Sequence, residues 1–294
     1  MRQYISQKNL DKNGLLEISG KDFRYMRQVL RLKAGDMVSV RLPDGKLQNM
    51  TLCKADDSEK KLVLQVCAGK EEIGKACKYD ETGKAFNSGN PVENQPEQNE
   101  NEDNQIEYYL FMFVPKSSKF DLIVRQATEC GLSKIIPVAS DFSQKGAEKM
   151  NFRGERFERI IKEARQQSGS AVNTVVENAV SVSEMCEIWK NEIQKSVSGD
   201  YGVFGFVLYE RSEFTTDFDS AFEKAKIASK SKKLKKCAVV CGSEGGISPD
   251  EIKKLLDCGF YAVHFKTNIL RCETAALYGT AVLQNAASKA WRER

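Results

Sequence analysis

Residues 237–251 read Cys237-Ala-Val-Val-Cys-Gly-Ser-Glu-Gly-Gly-Ile-Ser-Pro-Asp-Glu251. The first five are small and apolar, the pattern of a short strand buried on both faces. Gly242, Gly245 and Gly246 follow as a turn in which the backbone can take positive φ and come close to a ligand. Ser248, Pro249 and Glu251 then sign a helix start as N-cap, first-turn proline and closing member of a capping box. Strand, glycine turn and helix in that order belong to an α/β fold, whose ligands sit at the carboxyl ends of parallel strands. The stretch has neither G-x-G-x-x-G nor G-x-x-x-x-G-K-S/T. Glu244 and the acidic first helical turn would also repel a polyphosphate, so a ligand with a cationic or neutral reactive group fits better. A tight turn without a ligand is the other reading this stretch alone leaves open.

Strand and helix signals alternate on both sides of it. Tyr108–Val114 is a continuous apolar run of strand length, and a helix is expected from Phe120 to Cys130 with Ile123, Ala127 and Cys130 on one face and Gly131 as its stop. Ile135–Val138 reads as a strand and Arg153–Ser168 as a charged amphipathic helix ended by Gly169. Val203–Tyr209, Ala238–Cys241 and Phe260–Phe265 supply further strands, and a last helix runs from Glu273 towards Trp291. The lysines of 230–236 are expected in an exposed loop. The alternation predicts an α/β layer with a mostly parallel sheet.

Residues 1–68 read differently, as a small, mostly β module with one helix. Phe23, Met26 and Leu30 form a core stripe, and Arg24, Arg27 and Arg31 repeat that spacing on another face, which suits RNA phosphates or plain solvent equally. Val38, Val40 and Leu42 alternate up to Pro43-Asp44-Gly45, a hairpin signal, and Leu62, Leu64 and Val66 alternate again. Residues 69–106 break the pattern, with Glu, Gln, Asn and Asp replacing apolar residues, and are expected to form a disordered acidic linker. The chain carries +4 overall while residues 80–107 contribute −7, so the remainder is +11, a balance compatible with a polyanionic partner.

Other classes of function are disfavoured. Nine scattered cysteines suit a reducing compartment better than a disulfide framework. No apolar run approaches membrane-spanning length and the first residues lack a signal-peptide core, so a cytoplasmic protein without a membrane partner is expected. The one histidine, His264, leaves few zinc or histidine-based schemes, and Cys237 and Cys241 read as core residues on one strand face; no metal is expected.

About twenty residues beyond the glycine turn comes Phe265-Lys-Thr-Asn-Ile-Leu-Arg-Cys-Glu-Thr-Ala-Ala276, another strand end, loop and helix start. The pair G-x-E-G-G-I/L-S-x-x-E and I-L-R-x-E-T-A resembles the SPOUT-class ribosomal RNA uridine-N3 methyltransferases. The resemblance extends over most of the chain outside the linker. Val29-Leu30-Arg31-Leu32-Lys33, Gly35-Asp36 and Asp44-Gly45 are similar to that family's PUA-like RNA-binding module. Lys119-Phe120, Ala127 to Gly131 and Ile136-Pro137 are similar to its opening strand–helix–strand unit.

The resemblance implies a PUA-like β-barrel domain over 1–68 and a trefoil-knotted methyltransferase domain over 107–294, working as a homodimer on small-subunit ribosomal RNA or the assembling small subunit. It also implies S-adenosylmethionine as cofactor, held by Leu208, Gly242, Gly245, Gly246, Phe265, Ile269, Leu270, Arg271, Thr274 and Ala275. The displacement needs alignment more than a metal. Arg271 would stabilise negative charge on the uracil ring and Glu273 would accept the N3 proton, directly or through water; a plain carboxylate pair for Arg271 and a helix-terminus role for Glu273 stay open. The chain departs from the family in having Ser243 for proline and Phe265-Lys266 for Leu-Gly. It also has Asp141-Phe142-Ser143 for Glu-Arg-Ser/Cys, and Gln166-Gln167-Ser168-Gly169-Ser170 for Glu-Gln-x-x-Arg. Two alternatives follow: a methyltransferase of the same fold with another RNA target, and an RNA-binding protein that has lost the cofactor.

Overall fold

The fold is seen in a computed structural model that describes residues 3–67, 106–143, 146–147, 152, 154–230 and 232–292. Apart from Ile106, the expected acidic linker lies outside the described residues. The chain divides into two compact units, one holding a five-stranded sheet and the other a larger parallel sheet.

The first unit contains β1 (Gln3–Ile5), β2 (Leu15–Ser19), α1 (Gly20–Arg24), β3 (Met37–Arg41), β4 (Leu47–Asp56) and β5 (Lys61–Val66). Its strands are ordered β1-β3-β4-β5-β2, antiparallel except for β1 beside β3. Alternation puts Val38, Val40, Met50, Leu52, Leu62 and Leu64 into one core with Phe23 and Met26. The expected hairpin joins β3 to β4, with Gly45 at φ +84 closing the turn. The arginine stripe does not form as spaced. The helix widens to a π turn over Tyr25–Val29, and Arg31 stands beyond it at φ +55. A widened turn moves i+3 and i+7 off a common face. Arg27 is bound to Asp57 at 2.8 Å and donates to the Leu32 carbonyl, while Arg24 and Arg31 are exposed.

The second unit runs β6 (Glu107–Phe113), α2 (Ser117–Glu129), β7 (Lys134–Ala139), α3 (Glu155–Ser168), β8 (Val175–Val176), β9 (Val180–Ser181), α4 (Val182–Ser198), β10 (Gly202–Leu208), α5 (Phe218–Ala228), β11 (Leu234–Cys241), α6 (Pro249–Asp257), β12 (Tyr261–Val263) and α7 (Cys272–Arg292). The strands pair in parallel in the order β12-β10-β11-β6-β7-β8, with β9 also on β7. The continuous apolar runs are explained by burial on both faces. In β6, Leu110 and Met112 enter one core while Tyr109, Phe111 and Phe113 enter the other. In β11, Cys237, Val239 and Cys241 join the first core and Ala238 and Val240 the second. Helices α2, α5 and α7 cover the first face, and α4 and α6 the second.

Helices α4 and α5 go beyond the sequence expectation, although each carries its own start signal. Ser181 and Glu184 form a capping box, and Asp217 caps α5 by accepting from the Ser220 N–H. The lysine-rich segment also differs, because β11 begins at Leu234 and takes in Lys235 and Lys236. Lys236 is largely buried and ion-paired with Glu192. Its partner lies 44 residues away, out of reach of local pattern reading.

Candidate active site

Strands β12, β10 and β11 are neighbours and parallel, so their carboxyl ends gather three connections in one place: 209–217, 242–248 and 264–271. Leu208 lies at this edge, in register with Val263, and its side chain closes over Gly279 of α7. There a Cβ would stand 3.0 Å from Leu208 and from Val239, so the helix backbone sits directly on the strands.

The glycine turn is built inward. Ser243 and Gly246 bridge each other, and a Cβ on Gly242 would come within 2.8 Å of the Gly246 backbone. Gly246 takes φ +79, and a Cβ there would meet the Glu210 carboxylate at 3.1 Å. Gly245 makes room for Phe142, since its Cβ would fall 2.7 Å from that of the phenylalanine. Ser243, in the place of the family's proline, donates to the Phe142 carbonyl at 3.3 Å.

The turn ends on a fully paired helix start. Ser248 accepts from the Glu251 N–H and donates to Asp141, while Glu251 returns a carboxylate oxygen to the Ser248 N–H at 2.9 Å. The other Glu251 oxygen accepts from the Asp141 N–H at 2.9 Å, 110 residues away. The capping box expected from sequence therefore also fastens the loop after β7. That second role is invisible locally.

The second connection is open. Lys266, Thr267, Asn268 and Arg271 are exposed, Ile269 is 85% exposed, and Leu270 is half-buried. Its anchor is Phe265, whose ring packs on Phe206, Phe218 and Tyr278. Lys266 turns no charge inward: it lies in solvent and adds to the effects that hold the Asp217 carboxyl low, after the Ser220 N–H and hydroxyl. Thr274 is exposed and Ala275 half-buried in the first turn of α7.

Lys119, given no role by sequence reasoning, ties the two connections together. Its ammonium is 3.3 Å from Glu244 and 3.6 Å from Glu273. The Glu273 carboxyl is held below its ordinary range by its own backbone N–H, the Cys272 thiol and Lys119, against the opposing effect of burial. For Glu244 burial is the largest influence and pushes upward, but backbone N–H groups, including that of Lys116, and Lys119 outweigh it. Glu210, Glu244 and Glu273 thus surround the region with negative charge. Those carboxylate acceptors fit a ligand carrying a cationic centre and disfavour a phosphate. A second concavity at the amino ends of β10 and β11, among Val203, Phe222, Lys226 and Lys233, lies at the opposite end of the strands from these residues. Among the described residues no group of histidine, cysteine or acidic side chains is placed to hold a metal, and no helix is long and apolar enough to cross a membrane.

The whole chain is similar to known proteins. It is 26% identical over 287 residues to the ribosomal RNA small subunit methyltransferase E 2 of Borreliella burgdorferi, covering 96% of both chains. It is 25% identical over 281 residues to ribosomal RNA small subunit methyltransferase E of Bacillus subtilis, covering 95% of this chain and 93% of the other. Its fold superposes on the Neisseria gonorrhoeae ribosomal RNA small subunit methyltransferase E bound to S-adenosyl methionine with a TM-score of 0.65, at 18% identity and over 97% and 98% of the two chains. Residues 101–284, more than half of the chain, match the family described as an RNA methyltransferase domain, and it is to that family that the chain belongs.

Proposed function

We propose that this protein methylates small-subunit ribosomal RNA at the N3 of a uridine, with S-adenosylmethionine as methyl donor. One observation carries the reading: the glycine turn after β11 and the I-L-R-x-E-T-A connection after β12 open at the same end of the sheet, on either side of β10, and are bridged by Lys119. The relatives named above support the substrate class and the cofactor. Leu208, Gly242, Gly245, Gly246, Phe265, Ile269, Leu270, Arg271, Thr274 and Ala275 would hold the cofactor, which when bound supplies an electrophilic methyl group.

The chain's own residues do the rest. Arg271 is exposed at the mouth of the site and stabilises the negative charge that the uracil ring gains as N3 loses its proton. Glu273 accepts that proton directly or through water. Its own backbone N–H first, and Lys119 after it, hold the Glu273 carboxyl low, so it stands ionised and able to accept, as a weak base.

The same reading assigns residues 107–294 to a knotted SPOUT domain and 1–68 to a PUA-like RNA-binding barrel, with the exposed Arg24 and Arg31 available to RNA and Arg27 held by Asp57. It further assigns a homodimer, an acidic linker over 69–106 and a cytoplasmic setting.

The test is calorimetric titration with S-adenosylhomocysteine, followed by methylation of unmodified small-subunit ribosomal RNA and mapping of the modified nucleotide. Saturable binding and a single N3-methyluridine are expected. Absence of binding, with binding restored in Lys266→Gly, would put the non-catalytic RNA-binding reading in its place.

A further inference from the structure

Phe142 has no task in the fold that accounts for its exposure. It follows β7 in a loop whose preceding residue, Asp141, is held by Glu251 through its N–H and by Ser248 through its carboxylate, and its own carbonyl accepts from Ser243. Its side chain is 50% exposed, and among the described residues its ring packs on no other aromatic ring. It stands against Gly245, inside the turn assigned to the cofactor. The neighbouring Glu244 accepts from the backbone of Lys116, whose side chain is exposed. An aromatic ring left half exposed beside the cofactor turn of an RNA-modifying site offers what an unpaired nucleobase requires, a flat apolar surface to stack on.

We infer that Phe142 is a stacking platform for a nucleobase of the RNA substrate and thereby a specificity-determining residue. The inference rests on the reading of this site as one that methylates RNA. Stacking is tolerant of base identity, so Phe142 selects an unstacked, single-stranded target over a duplex. Gly245 is part of the device, because any side chain there displaces the ring.

Phe142→Leu, Phe142→Ala and Phe142→Trp, each in the full chain, test it. RNA affinity is measured by filter binding of a single-stranded small-subunit ribosomal RNA fragment, alongside calorimetry with S-adenosylhomocysteine and steady-state methylation. Loss of one stacked base is expected to weaken RNA binding and raise KM for RNA about tenfold in Phe142→Leu and Phe142→Ala. S-adenosylhomocysteine binding stays unchanged, and Phe142→Trp keeps wild-type affinity with emission that RNA quenches. Wild-type RNA affinity in Phe142→Leu, or a parallel loss of S-adenosylhomocysteine binding, overturns the inference. A wild-type protein that binds RNA through Phe142 but transfers no methyl group supports the inference and overturns the functional reading instead.

Discussion

The two connections that make the candidate site are built in opposite ways. In 242–248 the polar groups named above are spent inside the protein: Ser243 on Gly246 and Phe142, Ser248 on Asp141 and Glu251, Glu251 on the Asp141 backbone. In 264–271 four residues lie in solvent beside Ile269, and Phe265 holds the segment by its ring. The first is pre-shaped before any ligand arrives, and the second has backbone to offer one. A site made this way separates the two costs of binding. Ordering is already met on one side, and the other presents exposed side chains.

Substitutions should keep these two behaviours apart. The largest effect belongs to the open side. Arg271→Ala should lower the methylation rate about a hundred- to a thousandfold while leaving the urea midpoint unchanged, because the side chain is exposed; an unfolding shift would show that Arg271 is structural. On the closed side, Glu251→Ala strands the buried Ser248 N–H and the part-buried Asp141 N–H and should cost about 1–3 kcal/mol in urea unfolding. Gly246→Ala forces a side chain into the left-handed region and should cost about 1–2 kcal/mol; a neutral result would show that the turn is looser than its φ of +79 implies.

Lys119→Met joins the two sides and should lower the melting temperature slightly, in a pH-dependent way. Glu244 and Glu273 are depressed in the folded state, so their part of the stabilisation is present above the ordinary carboxylate range and disappears as pH falls through the lowered values. Lys119 is raised, so its part is lost as pH rises through its folded value. Mutant and wild type should therefore converge at both ends of a pH series of melting curves. The smallest effect is that of Lys266→Ala, within about 0.5 kcal/mol of wild type, with S-adenosylhomocysteine binding by calorimetry as the sharper readout.

The closed connection was readable from sequence because its signals are local. Glycine spacing, Ser248, Pro249 and Glu251 lie within a few residues of one another, and the capping box forms as written. The parallel sheet was readable for the same reason, through apolar runs of strand length. What escaped were pairings across distance. Lys119 meets Glu273 from far along the chain, Asp141 reaches Glu251, and Phe142 and Gly245 are neighbours only once β7 and β11 lie in one sheet. Arg24, Arg27 and Arg31 failed as a stripe for another reason: helical spacing holds only while the helix keeps its pitch, and the π turn breaks it. Helices α4 and α5 were not expected, although Val182, Met185, Cys186 and Trp189, then Phe218, Ala221, Phe222 and Ala225, carry helical spacing behind sound caps.

The outer strands of the parallel sheet have a consequence for self-association. β12 has three residues, β8 and β9 have two each, and β12 is further covered by the bridge from Thr216 to Val263. Edges so short give an incoming strand almost no ladder to extend, which protects an otherwise very apolar sheet from growing into aggregates. For this sheet they also close one route of self-association, the pairing of backbone along an edge, which would accept any extended chain.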